Sequence, residues 1–146
     1  MKLSTRTRYG IRAMMEIALH DGVHTVDLNE ISRNQGISKK YLHTLLVNLK
    51  NSGLLTSVRG NTGGYLLARR PEEITVYEIF RILEGPAELV ECVANKGACK
   101  RSGDCTARGL WGRVSALIRN ELESTTLADL AAEYKNGETK QPCYDI

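Results

Sequence analysis

The chain has 146 residues, 42% hydrophobic and 25% charged, enough for one globular domain with a real core and a small appendage. No apolar run approaches the ~20 residues of a membrane span. Lys2, Arg6 and Arg8 lead into no apolar signal core, because Arg12 and Glu16 interrupt the next stretch of chain, so a cytoplasmic protein is expected. The net charge of +3 hides an asymmetry: residues 1–70 carry 11 Lys and Arg against 4 Asp and Glu, and residues 71–146 the remaining 9 against 13. A basic half joined to an acidic half suits contact with a polyanion, or solubility alone.

Ser4 or Thr5 is placed to cap a first helix that runs to His20, where Asp21-Gly22 ends it. Tyr9, Ala13, Met14, Ile17 and Ala18 recur at helical spacing and form its inward stripe. Arg6, Arg8 and Arg12 lie off that stripe, as a solvated face, as phosphate contacts or as neighbours of a sensor.

Residues 26–35 predict a short helix with Leu28 and Ile31 inward, followed by a turn at Gly36. Ser38 then caps a second helix over 39–50, with Leu42, Leu45, Leu46 and Leu49 as its core stripe and Gly53 beyond its end. This is the helix-turn-helix pattern. Ser38, Lys39, Lys40 and Tyr41 give the second helix a donor-rich N-terminal end, which is the part of a recognition helix that reaches base edges.

Residues 54–58 alternate like a strand, 59–64 form a glycine-rich tip, and 65–68 return. A hairpin directly after a recognition helix reads as the wing of a winged helix. Its glycines would let the tip approach DNA backbone, and Arg59 suits a narrow, electronegative minor groove. Pro71 breaks the chain, and Thr75 caps a helix over 76–84 with Val76, Ile79, Phe80 and Leu83 on one face, stopped by Gly85-Pro86.

Cys92, Cys99 and Cys105 lie in a stretch whose Asn95, Gly97, Ser102 and Gly103 predict a loop able to turn three thiolates toward one centre. In a reducing compartment, four cysteines fit metal or redox chemistry better than a disulfide framework. Structural zinc sites show a close Cys-x2–4-Cys pair, which this stretch lacks. Lys100, Arg101 and Arg108 lie near the cysteines in sequence and suit a thiol switch.

Leu110, Val114, Leu117, Ile118 and Leu122 then trace one stripe of a long late helix, with Trp111 beside it. Too little chain remains to cover that stripe, so self-pairing is expected. Thr126 caps a last helix over 127–134, and residues 135–146, with Cys143, read as a loose polar tail. No enzyme is expected. Gly63-Gly64 belongs to a hairpin and opens no nucleotide-binding helix, and His20, His24 and His43 are scattered along the chain. His43 reads as a base or phosphate contact, or as a neighbour of the cysteine centre.

From Leu3-Ser4 to about Tyr134 the chain resembles the IscR/NsrR-type winged-helix transcription regulators of bacteria, nearer the IscR-like kind. The resemblance is carried by Arg8-Tyr9, by residues 35–38 with Tyr41-Leu42, by residues 58–67, by the spaced cysteines, and by Leu110-Trp111 and Thr126-Leu127. It implies a mainly α fold with a small β-hairpin wing and a long dimerisation helix. The expected parts are a winged helix-turn-helix domain over 1–85, a cysteine sensor loop over 86–106, the dimerisation helix and a short C-terminal helix over 107–134, and a flexible tail over 135–146.

The resemblance further implies a homodimeric repressor on a pseudo-palindromic double-stranded DNA operator. It would sense iron–sulfur status or redox and nitric-oxide stress through a 2Fe-2S cluster (in some relatives 4Fe-4S) held by Cys92, Cys99 and Cys105. Lys40, Tyr41, His43 and Thr44 fall where such proteins read bases, and Arg59 at the minor-groove position. The fourth cluster ligand is open. The family positions for it hold Arg8, Arg12 and Arg108, and a protonated guanidinium cannot ligate. Asp104, Glu91, His43, another histidine, Cys143 or a small external ligand are the candidates. The alternative is a cluster-free thiol- or metabolite-responsive repressor of the same fold.

Overall fold

Ser4 opens the first helix, α1 (Thr5–Leu19), by accepting a hydrogen bond from the Thr7 backbone N–H at 3.2 Å. In this computed structural model, which describes residues 2–137, α1 is the central rod. It packs against four other helices, and Ala13, Met14, Ile17 and Ala18 of its stripe are buried while Tyr9 is half-buried. Gly10 faces Leu83 so closely that a Cβ there would overlap its side chain.

The second helix, α2 (Leu28–Gln35), starts two residues later than predicted. Val26 is extended instead and bridges to Tyr65 through backbone hydrogen bonds of 3.1 and 2.8 Å. Asp27 is the cap, accepting from Glu30 N at 2.8 Å. A β-branched residue followed by a good N-cap favours this boundary over an earlier one. Gly36 makes the turn in the left-handed region, φ 65°. Next comes α3 (Lys39–Asn51). Its Leu42, Leu45, Leu46 and Leu49 are each fully buried, a contribution of about 1.5–3 kcal/mol apiece.

The hairpin pairs β1 (Leu55–Val58) with β2 (Gly64–Leu67), antiparallel, in a register from Leu55 opposite Leu67 to Val58 opposite Gly64. A 3-10 turn over Pro71–Glu73 leads to α4 (Val76–Leu83), whose Thr75 cap and Glu78 bond reciprocally to each other's backbone.

The stretch after Gly85 is more ordered than a plain loop. It forms one helical turn, α5 (Glu91–Ala94), then a 3-10 turn over Lys96–Ala98. The long helix α6 (Thr106–Ser124) follows, and α7 (Leu127–Asn136) runs two residues past the predicted end. The start of α7 is tied to the start of α4: Leu127 N–H donates to Ile74 O at 2.9 Å and Val76 N–H to Thr125 O at 2.8 Å. Leu127 and Ala131 join the core of the helix-turn-helix. Cys143 and the rest of the expected tail lie outside the described residues. Among the described residues no helix is long and apolar enough to cross a membrane.

Candidate nucleic-acid interface and cysteine segment

The N-terminal turn of α3 is built around Ser38, whose Oγ accepts from the Tyr41 N–H at 3.3 Å. That hydroxyl therefore shapes the helix start. Lys39, Lys40, His43 and Thr44 stand exposed around it. Thr44 Oγ donates back to Lys40 O at 3.3 Å, leaving its lone pairs outward. Tyr41 is different. It is half-buried and meets Tyr9 edge to face at 6.0 Å, so its ring also packs α3 onto α1. The result is a helix N-terminus, positive through its dipole, ringed by cations and donors, an arrangement that receives phosphate and base edges.

Arg59 follows β1 and is exposed on the wing. Two of the tip glycines, Gly63 and Gly64, are required by the chain's own packing, while Gly60 is open. A Cβ at Gly63 would run into Val58 O, and one at Gly64 would lie 2.6 Å from Val26 O. The wing is tied to the body at three points: Thr25 Oγ donates to Thr62 O at 2.6 Å, Val26 bridges Tyr65, and Lys50 Nζ donates to Ser57 Oγ at 2.6 Å.

The arginines of α1 separate. Arg12 is committed to the turn of the helix-turn-helix: its Nε donates to Gln35 Oε1 at 3.1 Å, a second nitrogen donates to Gln35 O, and its guanidinium lies 5.4 Å from the Tyr9 ring centre. Next to it, the buried Glu16 accepts from Asn34 Nδ2 and Gln35 Nε2, both at 2.7 Å. Arg8 is exposed and makes a long contact of 3.4 Å with Thr5 Oγ. At the other end of α1, Glu84 accepts from Ser4 Oγ at 2.5 Å and from Thr7 Oγ. These donors, Ser4 first and Thr7 second, hold its carboxyl below the ordinary glutamate range.

The cysteines lie on three successive pieces. Cys92 is half-buried in α5, Cys99 is exposed just past the 3-10 turn, and Cys105 is exposed at the cap of α6. Asn95, accepting from Gly97 N at 3.0 Å, and Ser102, donating to Lys96 O at 2.6 Å, hold the bends between them. All three thiols are free, and they do not converge: the group of potential ligands within 4.8 Å among the described residues is His20, His24 and Glu30. Of the expected scatter of histidines, two are thus brought together, while His43 stays apart on α3. Arg108, in the place of a fourth ligand, donates through Nε to Cys92 O at 2.8 Å. The donor set is therefore three soft thiols, which suit iron–sulfur chemistry; neither Arg108 nor Arg12 can complete it, and both are engaged elsewhere.

The cysteine segment is fastened to α6. Leu89 N–H donates to Ser115 Oγ at 3.0 Å, and Arg119 pairs with Glu88 and lies 5.5 Å from the Tyr77 ring. Of the α6 stripe predicted to pair chains, Leu110 is 43% and Leu117 69% exposed, with Trp111 beside it at 40%, while Val114, Ile118 and Leu122 are half-buried against this chain.

A helix-turn-helix with a cationic second helix, a tethered wing after it and a long terminal helix define a winged-helix transcriptional regulator. The Rrf2 family, described as an iron-dependent transcriptional regulator, matches residues 3–133. The chain is 40% identical over 138 residues to the HTH-type transcriptional regulator CymR of Bacillus subtilis, covering 94% of each. The solved structure of that relative, described as the global cysteine regulator, superposes with a TM-score of 0.78 at 38% identity over 90% of this chain and 97% of that one. The IscR regulator of Sodalis glossinidius is 37% identical over 132 residues, 90% of this chain and 79% of its own. The structure of T. potens IscR has a TM-score of 0.78 at 35% identity, covering 97% of this chain and 94% of that one. The chain belongs to the Rrf2 family of transcriptional regulators.

Proposed function

We propose that the protein is a cytoplasmic repressor that binds a pseudo-palindromic operator as a homodimer and receives its signal at Cys92, Cys99 and Cys105. One observation carries the DNA-binding part: the exposed Lys39, Lys40, His43 and Thr44 of α3 sit on the same body as a wing carrying Arg59, fixed by the Thr25, Val26 and Lys50 contacts. Pairing is supported by the open apolar face of α6. Two-fold pairing would present two recognition helices to half-sites about 34 Å or one helical turn apart, or a multiple of it.

For the signal, the reading that fits the donor set is a 2Fe-2S cluster, with 4Fe-4S as its variant. Cys92, Cys99 and Cys105 would hold it, and when bound it supplies redox- and nitric-oxide-sensitive chemistry. The chain's own part is mechanical. Gathering the three thiols moves α5 and the cap of α6, and Arg108 carries that movement from Cys92 O to the first turn of α6. A changed pose of α6 alters the spacing of the two recognition helices, and operator affinity follows.

A second reading, a cluster-free thiol-responsive repressor, is favoured by the separate exposure of Cys99 and Cys105 and by the arginines at the fourth-ligand positions. Anaerobic reconstitution distinguishes the two. A coloured protein with about two irons per chain supports the cluster. Colourless protein whose affinity for a selected operator changes on thiol oxidation supports the thiol switch.

A further inference from the structure

The turn between α1 and α2 gathers two of the chain's three histidines beside two carboxylates. His20 caps the end of α1, His24 lies on the connector, Glu30 is in the first turn of α2, and Glu16 is one helical turn before His20. Both imidazole Nε2 atoms turn to the same Glu30 oxygen, at 3.7 Å from His20 and 3.3 Å from His24. His20 Nε2 also lies 3.4 Å from Glu16 Oε1. With metal–ligand bonds of 2.0–2.1 Å, the edge of a tetrahedron of nitrogen and oxygen ligands is about 3.3 Å, so these donors already stand near coordination spacing. Two ring nitrogens turned to one carboxylate oxygen is the convergence that one ion at the centre needs.

The surroundings support this reading. Glu16 is only 4% exposed, and Asn34 and Gln35 hold both its oxygens in place beside the His20 ring; such an outer carboxylate orients a metal-ligating histidine. The carboxylates of Glu16 and Glu30 beside the two imidazoles are a charge that one divalent cation cancels. The His20 and His24 side chains are 30% and 43% exposed, so an ion can enter from solvent.

The geometry points to a binding site for one first-row divalent transition ion of the zinc class, with His20, His24 and Glu30 as ligands and Glu16, beside His20, as an outer carboxylate. Imidazole with carboxylate suits zinc, nickel or copper over the all-oxygen preference of calcium and magnesium. The ion would stiffen a joint of the DNA-binding body. The connector carrying His24 also carries Thr25, bound to Thr62 in the wing tip, and Val26, bridged to Tyr65.

The test is calorimetric titration of Zn2+ into the full chain with all four cysteines changed to serine, joined to NMR of the histidine rings. One zinc per chain is expected, with the rings of His20 and His24 shifting and that of His43 unmoved. His24→Ala, a change at an exposed side chain, is expected to weaken binding about tenfold or more. The unaltered chain with alkylated thiols gives the same reading if the serine variant does not fold. Absence of saturable zinc uptake, uptake that His24→Ala leaves unchanged, or ring shifts confined to His43 would overturn the site.

Discussion

At the scale of single residues, the side chains proposed to meet DNA and those that hold the fold differ in their partners. Lys40 and Arg59 are exposed and are assigned to DNA, whereas Arg12 is bound to Gln35 and Tyr9. Lys40→Ala and Arg59→Ala are therefore expected to cost about 1–3 kcal/mol each in specific binding where they read bases, or to lower the salt slope by about one where they contact phosphate. Fluorescence anisotropy over a salt series measures both effects. Arg12→Ala should instead lower thermal stability. Glu84 makes a separate, pH-dependent prediction. Ser4 and Thr7 depress its carboxyl pKa in the folded state, so its stabilisation is complete above the ordinary glutamate value of 4.5 and is lost as the pH falls through that value toward the folded one. Urea unfolding across this range should show Glu84→Gln less stable at neutral pH, with the gap closing in acid.

At the scale of elements, close approach explains several positions that composition alone does not. Gly10 lets α1 and α4 touch through Leu83, and Gly10→Val is expected to destabilise by about 1–3 kcal/mol through overpacking, read as a lowered melting temperature. The long helices and the core leucines of α3 are legible in the sequence because a 3.6-residue period survives in any surroundings. The start of α2 is not, since Val26 is claimed by Tyr65, a partner 39 residues away. Gly63 and Gly64 signal a turn in the sequence but not the neighbour that requires them: the crowding backbone belongs to Val58 and Val26. The single helical turn at Cys92 is too short to leave a periodic signal. The approach of His20 to His24 depends on the path of the connector and on Glu30 from the next helix, so scattered positions along the chain concealed a cluster.

For the whole molecule, the proposed homodimer gives the open apolar residues of α6 and the cationic face of α3 one end: pairing through α6 would position two readers, and the cysteine segment is fastened to that helix. Leu117→Asp, at a side chain 69% exposed, should leave the chain folded by circular dichroism. It should shift sedimentation from dimer to monomer and weaken operator binding at least as much as the loss of one half-site. A variant that stays dimeric would place the pairing surface elsewhere. If the state of Cys92, Cys99 and Cys105 sets operator affinity, that affinity, measured on an operator selected from a random duplex library, changes with the treatment of the thiols. The anaerobically reconstituted and the oxidised forms of the unaltered chain would be compared with the Cys92→Ser, Cys99→Ser, Cys105→Ser triple variant. Affinities differing by about tenfold or more, roughly 1.4 kcal/mol of coupling, are expected between the two forms of the unaltered chain, with a single affinity for the triple variant under both treatments. Equal affinity in both forms of the unaltered chain, or a difference that persists without the three thiols, would contradict control by the thiols.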